Sequence, residues 1–363
     1  MDVSTAGYLC WAKTHPLARF ELTASGVPAA RIDDFDGHPE TPDLEIRGTY
    51  GDPELIQAIA ELRSVAPESV LPVPGASTAN FIALSCAAAA GDRVLIERPV
   101  YDPLVRVARF LGLRCSFFRR VTEQGFRPDL EAVRRELTEG AKAVVMSNLH
   151  NPSGRICPAE DLQELAALTA RYDACLIIDE VYLDFATLNG NRKRGGAARL
   201  GNHVVVTDSL TKVYGLGGLR AGWIIAHPGF VRRAREVLDL LNVVNPVVSA
   251  RIALRALTRL ERLGRRCQES YQAGYPVFAS WLAGRGDLAG YGNDGALFGW
   301  LRLPAGLRAK ELAALLAAEY ETNIVPGTFF GCDDHVRIGF GLPVDVLSEG
   351  LSRVAAALDR LRS

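Results

Sequence analysis

Residues 205–226 read Val-Val-Thr-Asp-Ser-Leu-Thr-Lys-Val-Tyr-Gly-Leu-Gly-Gly-Leu-Arg-Ala-Gly-Trp-Ile-Ile-Ala. An apolar, β-branched run around Val204, Val205 and Val206 passes into small hydroxylated residues and Lys212. A glycine-rich turn (Gly215, Gly217, Gly218), Arg220 and a second apolar run from Trp223 follow. The alternation predicts strand, polar turn, strand. A lysine between two buried strands has its charged form disfavoured, and a lysine held partly neutral can form a Schiff base with a carbonyl. Ser209, Thr211 and Arg220 have the chemistry of anion ligands, the arginine through its planar fork. Together these residues suggest a carbonyl compound that carries a phosphate, as pyridoxal 5′-phosphate does.

Three other readings of the stretch compete. Gly215-Leu-Gly217-Gly218 resembles a dinucleotide loop, but such a loop opens a helix, and here a strand is expected to follow. Ser209-Leu-Thr-Lys212 fits the S-x-x-K of serine acylases, yet the companion S-D-N and K-T-G triplets are absent from the sequence. A surface lysine in a glycine loop would be the default if the stretch stood alone.

The 363 residues are enough for a large core split between two lobes. Apolar content of 48% against 23% charged is that of an ordinary globular protein. The formal net charge is −1 and no long basic block occurs, which removes the electrostatic footprint of nucleic-acid binding. The densest basic cluster, Arg192-Lys193-Arg194, reads as a solvated loop. Seven scattered cysteines without a C-x-x-C pair predict reduced thiols in a cytoplasmic chain rather than a disulfide framework or a zinc site. No signal peptide or membrane-spanning run is expected.

Along the chain, residues 1–45 read as an arm. Asp52-Pro53 is an N-cap followed by proline at the first helical position, with Leu55, Ile59 and Leu62 marking one apolar face. From 70 to 226 helices are expected at 77–90, 102–111, 129–137 and 158–172, alternating with strands at 93–97, 113–118, 143–147 and 175–179. Strands read as unbroken Val/Ile/Leu runs are covered on both faces, and their alternation with helices implies a mainly parallel sheet with right-handed crossovers. Ligands of such sheets lie beyond the carboxyl ends of the strands. Asn148, Asn151, Asp179 and Ser209 to Lys212 all fall at those ends. From Pro228 arginine-rich helices run to about 284, followed by strands at 297–303 and 336–340 with helices at 309–320 and from 344. The expected units are an arm over 1–45 that belongs to the small lobe, a large domain over 46–245 and an α+β domain over 246–363.

Seven segments in order now resemble the fold type I pyridoxal-phosphate enzymes, the aspartate aminotransferase fold, and most closely the class I/II aminotransferases. They are Tyr50-Gly51, Gly75-Ala-Ser77-Thr-Ala79, Pro99-Val-Tyr101, Asn151-Pro-Ser-Gly154, Asp179-Glu-Val-Tyr182, Ser209-Leu-Thr-Lys212 with Arg220, and Val336-Arg337-Ile-Gly-Phe340. Each alone is weak, since N-P-x-G is also an ordinary turn; the shared order carries the likeness. The resemblance implies an α/β large domain with a seven-stranded type of sheet flanked by helices, and a smaller α+β domain.

It also implies roles. Lys212 would hold the cofactor as an aldimine and shuttle the substrate proton, and Asp179 would pair with the pyridine nitrogen so that the ring draws electrons. Tyr182 and Asn151 would bond the ring's phenolic oxygen, and Tyr101 would stack on the ring. Ala76 and Ser77, at a helix N-terminus, would form a phosphate cup with Ser209 and Arg220. Tyr50 would reach the phosphate of a neighbouring subunit, which implies a homodimer. Arg337 would clamp the α-carboxylate, with Asn151 and Gly26 nearby; Tyr8 and Trp11 are read as aromatics that dock the arm, with a place in the pocket lining as the alternative. The implied reaction moves an amino group between an L-amino acid and a 2-oxo acid. Decarboxylation, elimination by a lyase or cyclisation on the same residues stay open, because pocket residues outside the motifs select the bond that breaks. No metal, membrane or nucleic-acid partner is expected.

Overall fold

Asp52 caps its helix as its neighbours predict, accepting from the N–H groups of Glu54 (2.9 Å) and Leu55 (3.4 Å). The computed structural model describes residues 7–37, 50–190, 196–242 and 244–362; the Arg192-Lys193-Arg194 cluster and the expected boundary at 45/46 lie outside them. The arm contributes α1 (Gly7–Thr14) and β1 (Phe20–Glu21). The large sheet contains β2 (Val70–Val73), β3 (Arg93–Arg98), β4 (Arg114–Val121), β5 (Arg127–Pro128), β6 (Ala143–Ser147), β7 (Cys175–Asp179), β8 (Val204–Ser209) and β9 (Gly222–Ile225). Helices α2 (Pro53–Arg63), α3 (Ala76–Ala87), α4 (Asp102–Phe110), α5 (Leu130–Thr138), α6 (Ala159–Arg171), α7 (Leu183–Leu188) and α8 (Pro228–Asn242) belong to the same part of the chain.

The sheet order is β2-β9-β8-β7-β6-β3-β4-β5. The five strands β4, β3, β6, β7 and β8 pair in parallel, as the strand–helix alternation predicts. Seven strands match the expected type, and the two-residue β5 adds an antiparallel edge. β9 runs antiparallel to β8, in register from Val206↔Ile225 to Ser209↔Gly222. The connection over 210–221 holds only a 3-10 turn, Gly217–Leu219, and no helix to carry the chain across the sheet, so the strand returns antiparallel. The deciding stretch is therefore a hairpin, and Lys212 sits in its loop.

Apolar residues on the two faces of each strand enter different cores. Leu71, Val94, Ile96, Val145, Ile177, Val205 and Ile224 pack with residues of α3, α4 and α8. Val70, Leu95, Val144, Met146, Ile178, Val206 and Ile225 face the larger cluster that continues into the C-terminal elements. Burial on both sides explains why these strands show no polar alternation.

Beyond the sheet come α9 (Val247–Leu257), α10 (Leu260–Ala283), β10 (Ala289–Gly290), β11 (Phe298–Arg302), α11 (Ala309–Glu319), β12 (Thr322–Asn323), β13 (Val325–Pro326), β14 (His335–Gly339) and α12 (Val344–Arg362). β10, β11, β14 and β13 form an antiparallel sheet, and β12 pairs in parallel with β1 of the arm. No helix among the described residues is long and apolar enough to cross a membrane.

One buried charge cluster joins three elements beneath the Lys212 loop. Arg63, at the end of α2, donates to Asp184 Oδ1 and Oδ2 (2.8 Å each) and to Asp208 Oδ2 (2.6 Å). Tyr214 donates to Asp184 Oδ2 at 2.7 Å, and Asp208 Oδ1 accepts from the N–H of Ser209 at 2.6 Å. α7 and β8 thus share one guanidinium, and the Lys212 loop joins them through Tyr214 on Asp184. Breaking a buried pair from one side leaves uncompensated charge, which costs about 3–5 kcal/mol. Arg63→Met is expected to lower stability by roughly that amount, read as the urea midpoint; an unchanged midpoint would show that the two aspartates find other partners.

Candidate active site

The C-terminal ends of β6, β7 and β8 and the N-terminus of α3 meet at one cavity. Its lining includes Tyr8, Ala76, Ser77, Asn80, Tyr101, Ser147, Asn151, Asp179, Tyr182, Ser209, Thr211, Lys212 and Arg220. Nine of the twelve site residues expected from sequence are among these; Gly26, Tyr50 and Arg337 are not.

Lys212 projects from the hairpin loop, and its ammonium has no hydrogen-bond or ion-pair partner among the described residues. Its backbone carbonyl accepts from the N–H of Val27 at 3.0 Å, which lays the arm across the loop. Gly26 makes that approach possible, since a Cβ there would stand 2.7 Å from the Lys212 carbonyl oxygen. The structure gives Gly26 a packing role.

Asp179 closes β7 and is buried. Its Oδ2 accepts from Asn80 Nδ2 (2.7 Å) and its Oδ1 from the N–H of Val181 (3.0 Å). Burial pushes the Asp179 carboxyl above its usual range; the Asn80 and Val181 donors and the Lys212 charge pull the other way without cancelling it. Asn80 is itself oriented by Thr207, whose hydroxyl donates to Asn80 Oδ1 at 2.6 Å.

The phosphate-type donors converge at α3. Gly75, at φ +87°, precedes the helix, and no side chain caps it. The first N–H groups of a helix then suit an anion, helped by the helix dipole. Arg220 crosses this turn so closely that a Cβ on Gly75 would stand 2.3 Å from Nη2. A Cβ on Gly222 would stand 2.6 Å from the Gly75 carbonyl carbon and 2.9 Å from the Ala76 nitrogen. Ser209 and Thr211 add hydroxyls to the cavity wall. Two glycines, a helix terminus, hydroxyls and a guanidinium without a carboxylate partner among the described residues make a donor set that fits a phosphate.

Tyr182 is the N-cap of α7 rather than a strand residue, and its hydroxyl lies 2.9 Å from Ser25 Oγ. Tyr101, the N-cap of α4, meets the Tyr8 ring edge-on at 5.6 Å. Burial raises the Tyr101 phenol strongly. Tyr8 behaves oppositely: burial pushes it up, but the charges of Arg337 and Lys212 outweigh this and leave it below its ordinary value.

Arg337 on β14 is sealed from water, with 1% exposure. Nη1 donates to Asn151 Oδ1 at 2.9 Å, and Nη2 donates to Tyr8 Oη at 3.0 Å and the Thr23 carbonyl at 3.4 Å. Phe298 and Phe330 lie 5.2 and 5.1 Å from its guanidinium. Every partner is neutral, and Nε has none. Because Asn151 spends its oxygen on Arg337, its Nδ2 is the end left to donate into the cavity. Tyr50 stands apart, donating to Asp239 Oδ2 at 2.9 Å with Arg235 over its ring at 5.0 Å.

Asn80, Ser25 and Ser147 were not expected from sequence. The signal for Asn80 was present: it is the one amide in a helix of small and apolar residues, where asparagine has poor propensity. Ser25 and Ser147 carry no such mark, because serine beside glycine or at a strand end is ordinary.

A family model described as aminotransferase class I and II matches residues 32–354. The aspartate/prephenate aminotransferase of Thermus thermophilus is 28% identical over 320 residues, covering 85% of this chain and 82% of its own. Capreomycidine synthase of Streptomyces vinaceus is 28% identical over 313 residues, covering 85% of this chain and 80% of its own. Among solved structures, a PLP-dependent aminotransferase from Streptococcus suis shares the fold, with a TM-score of 0.88 at 22% identity over 99% of both chains.

Gly222→Ala should force β9 away from the Gly75-Ala76 turn, because the clash is with backbone that has little room to yield. The expected result is about 1–3 kcal/mol of lost stability together with weaker retention of a phosphate-bearing ligand on dialysis. Full retention in that variant would exclude the turn as the phosphate site.

Proposed function

The chain belongs to the class I and II aminotransferase family, and on that premise we propose which of its own residues carry the transfer. It is an enzyme, an aminotransferase that moves an amino group between an amino acid and a 2-oxo acid. The family works with pyridoxal 5′-phosphate, which when bound supplies an aldehyde for exchange of amines and a pyridinium that withdraws electrons. In this chain Lys212 is the residue that would hold it. Ala76, Ser77, Ser209 and Arg220 would hold the phosphate, Asp179 the ring nitrogen, and Asn151 and Tyr182 the phenolic oxygen, with Tyr101 against the ring.

The observation that carries this reading is a pair of unanswered cations. Among the described residues Lys212 lines the cavity without a partner, and Arg337 is buried with only neutral acceptors around it. A buried guanidinium that lacks an anion is matched by one brought in with the substrate, gripped through two parallel bonds. Lys212 Nζ then acts as the base that takes the proton from the substrate Cα and returns it. Asp179 keeps a positive partner favourable in a dry setting, and Asn80 and Thr207 fix its direction. Gly26 serves by letting the arm lie over the Lys212 loop.

The division into an arm over 1–45, a large domain over 46–245 and a small domain over 246–363 belongs to the same proposal, supported by the pairing of β1 with β12. So does a homodimer with Tyr50 at the neighbouring site. In its support, Leu240, Leu241, Val244 and Val248, beside the α8–α9 junction, are exposed apolar residues. A cytoplasmic setting agrees with seven free thiols.

Borohydride reduction of the reconstituted protein followed by peptide mapping should place the cofactor label on Lys212; a label elsewhere, or none, overturns the assignment. With a panel of amino donors the expected product is pyridoxamine phosphate, and release of carbon dioxide in its place would contradict a transfer. Arg337→Ala should raise KM about a hundredfold for every amino acid alike, since a shared buried charge contact is worth several kcal/mol. Loss confined to one amino acid would assign Arg337 to side-chain recognition.

A further inference from the structure

Behind the cavity wall lies a buried ion pair that the transfer chemistry does not use directly. Glu97 on β3 and Arg120 on β4 have side chains that are 0% exposed. Glu97 Oε2 accepts from Arg120 Nη1 at 2.9 Å, and Glu97 Oε1 accepts from both the N–H (2.7 Å) and the hydroxyl (2.6 Å) of Ser147. With its hydrogen given to the carboxylate, the Ser147 oxygen is an acceptor, and it takes the backbone N–H of Asn151 at 3.1 Å. Asn151 Oδ1 in turn accepts from Arg337 Nη1. The line Arg120, Glu97, Ser147, Asn151, Arg337 is unbroken, and it runs from the large sheet to the strand that carries the buried guanidinium. A second tether sits beside it: His150 Nε2 lies 2.9 Å from the Pro99 carbonyl, two residues before Tyr101.

Stability alone gives little reason for such a pair, because a well-packed apolar replacement is often as stable or more so. Its polarity has a clear consequence. An acceptor at Glu97 Oε1 sets the direction of the Ser147 hydroxyl, which leaves the Ser147 oxygen to take the Asn151 backbone N–H and so fixes the point from which the Asn151 side chain reaches Arg337; the guanidinium, a donor only, takes the amide oxygen. We propose that Glu97 is a positioning residue for carboxylate recognition, holding Arg337 in place through Ser147 and Asn151. The inference rests on the aminotransferase reading for its substrate and on the hydrogen-bond line for its geometry.

The test uses the cofactor-loaded full chain at pH 8.5, above the value of about 7 to which burial raises Glu97 against the pull of Arg120 and Ser147. Glu97→Gln cannot accept at both ends, and Ser147→Ala cuts the line while leaving the ion pair intact, should the first variant fold poorly. Single-turnover rates are compared for an amino acid and for the amine that lacks its carboxylate. The amino-acid rate constant at subsaturating substrate should fall about tenfold and that of the amine by a clearly smaller factor, since the amine feels only the part of the change that reaches the cofactor through Asn151. Calorimetric binding of propanoate, a carboxylate without an amino group, should weaken by a similar factor. Equal loss of amino acid and amine, or unchanged propanoate affinity in variants with native melting temperature and cofactor absorbance, overturns the proposal. If the wild-type chain shows no half-reaction with any amino acid, the aminotransferase reading fails, and the propanoate comparison still decides the role of Glu97.

Discussion

A guanidinium removed from water must be answered by an anion or by enough oriented dipoles, and this constraint organises the molecule around three buried arginines. Arg63 meets two aspartates and Arg120 meets a glutamate, all sealed from solvent. Arg337 meets an amide oxygen, a phenol and a carbonyl. Desolvation penalises each charge similarly, so the one without a carboxylate is the one that the proposed substrate carboxylate would answer. The two charge-paired arginines hold the frame within which the third stays without a carboxylate.

That structural work is local. Arg63 fixes the start of α7 and the end of β8, which carry Tyr182 and Ser209 close by. The Arg120–Glu97 pair fixes Ser147 at the end of β6, four residues before Asn151. Between these frames β9 comes so close to the turn before α3 that only glycine is tolerated at 222, while Gly75 has a φ of +87° and the Arg220 guanidinium lying across it. The cavity is thus bounded by elements whose relative positions are set by charge pairing and close backbone approach, not by loops alone.

The same packing tunes opposite behaviours in like groups. Tyr8 and Tyr101 are neighbouring phenols, 5.6 Å apart between ring centres. Tyr101 is raised by burial, whereas Tyr8 lies beside Arg337 and Lys212 and is lowered in spite of it. Asp179 sits between these limits, raised by burial and partly relieved by Asn80, the Val181 N–H and Lys212. Between the two phenols the charges of Arg337 and Lys212 decide the difference, whereas at Asp179 burial prevails over the Lys212 charge.

Local chemistry in the sequence determined the strands, because unbroken Val/Ile/Leu runs need cover on both faces, and it determined the α2 N-terminus through Asp52-Pro53. It also marked Ser209, Lys212 and Arg220, which lie at the end of β8 and in the connection that follows, as candidates to hold a phosphate and a carbonyl. Tertiary structure alone decided the partners of those residues. Ser25 reaches Tyr182 across 157 positions and Asn80 reaches Asp179 across 99, and neither contact has a spacing or a period that a linear reading can detect. The reversal of β9, the packing role of Gly26, and the shielding of Arg337 by Tyr8 and Asn151 depend likewise on which surfaces meet. That choice is made by the summed burial of the whole core, and no single segment contains it.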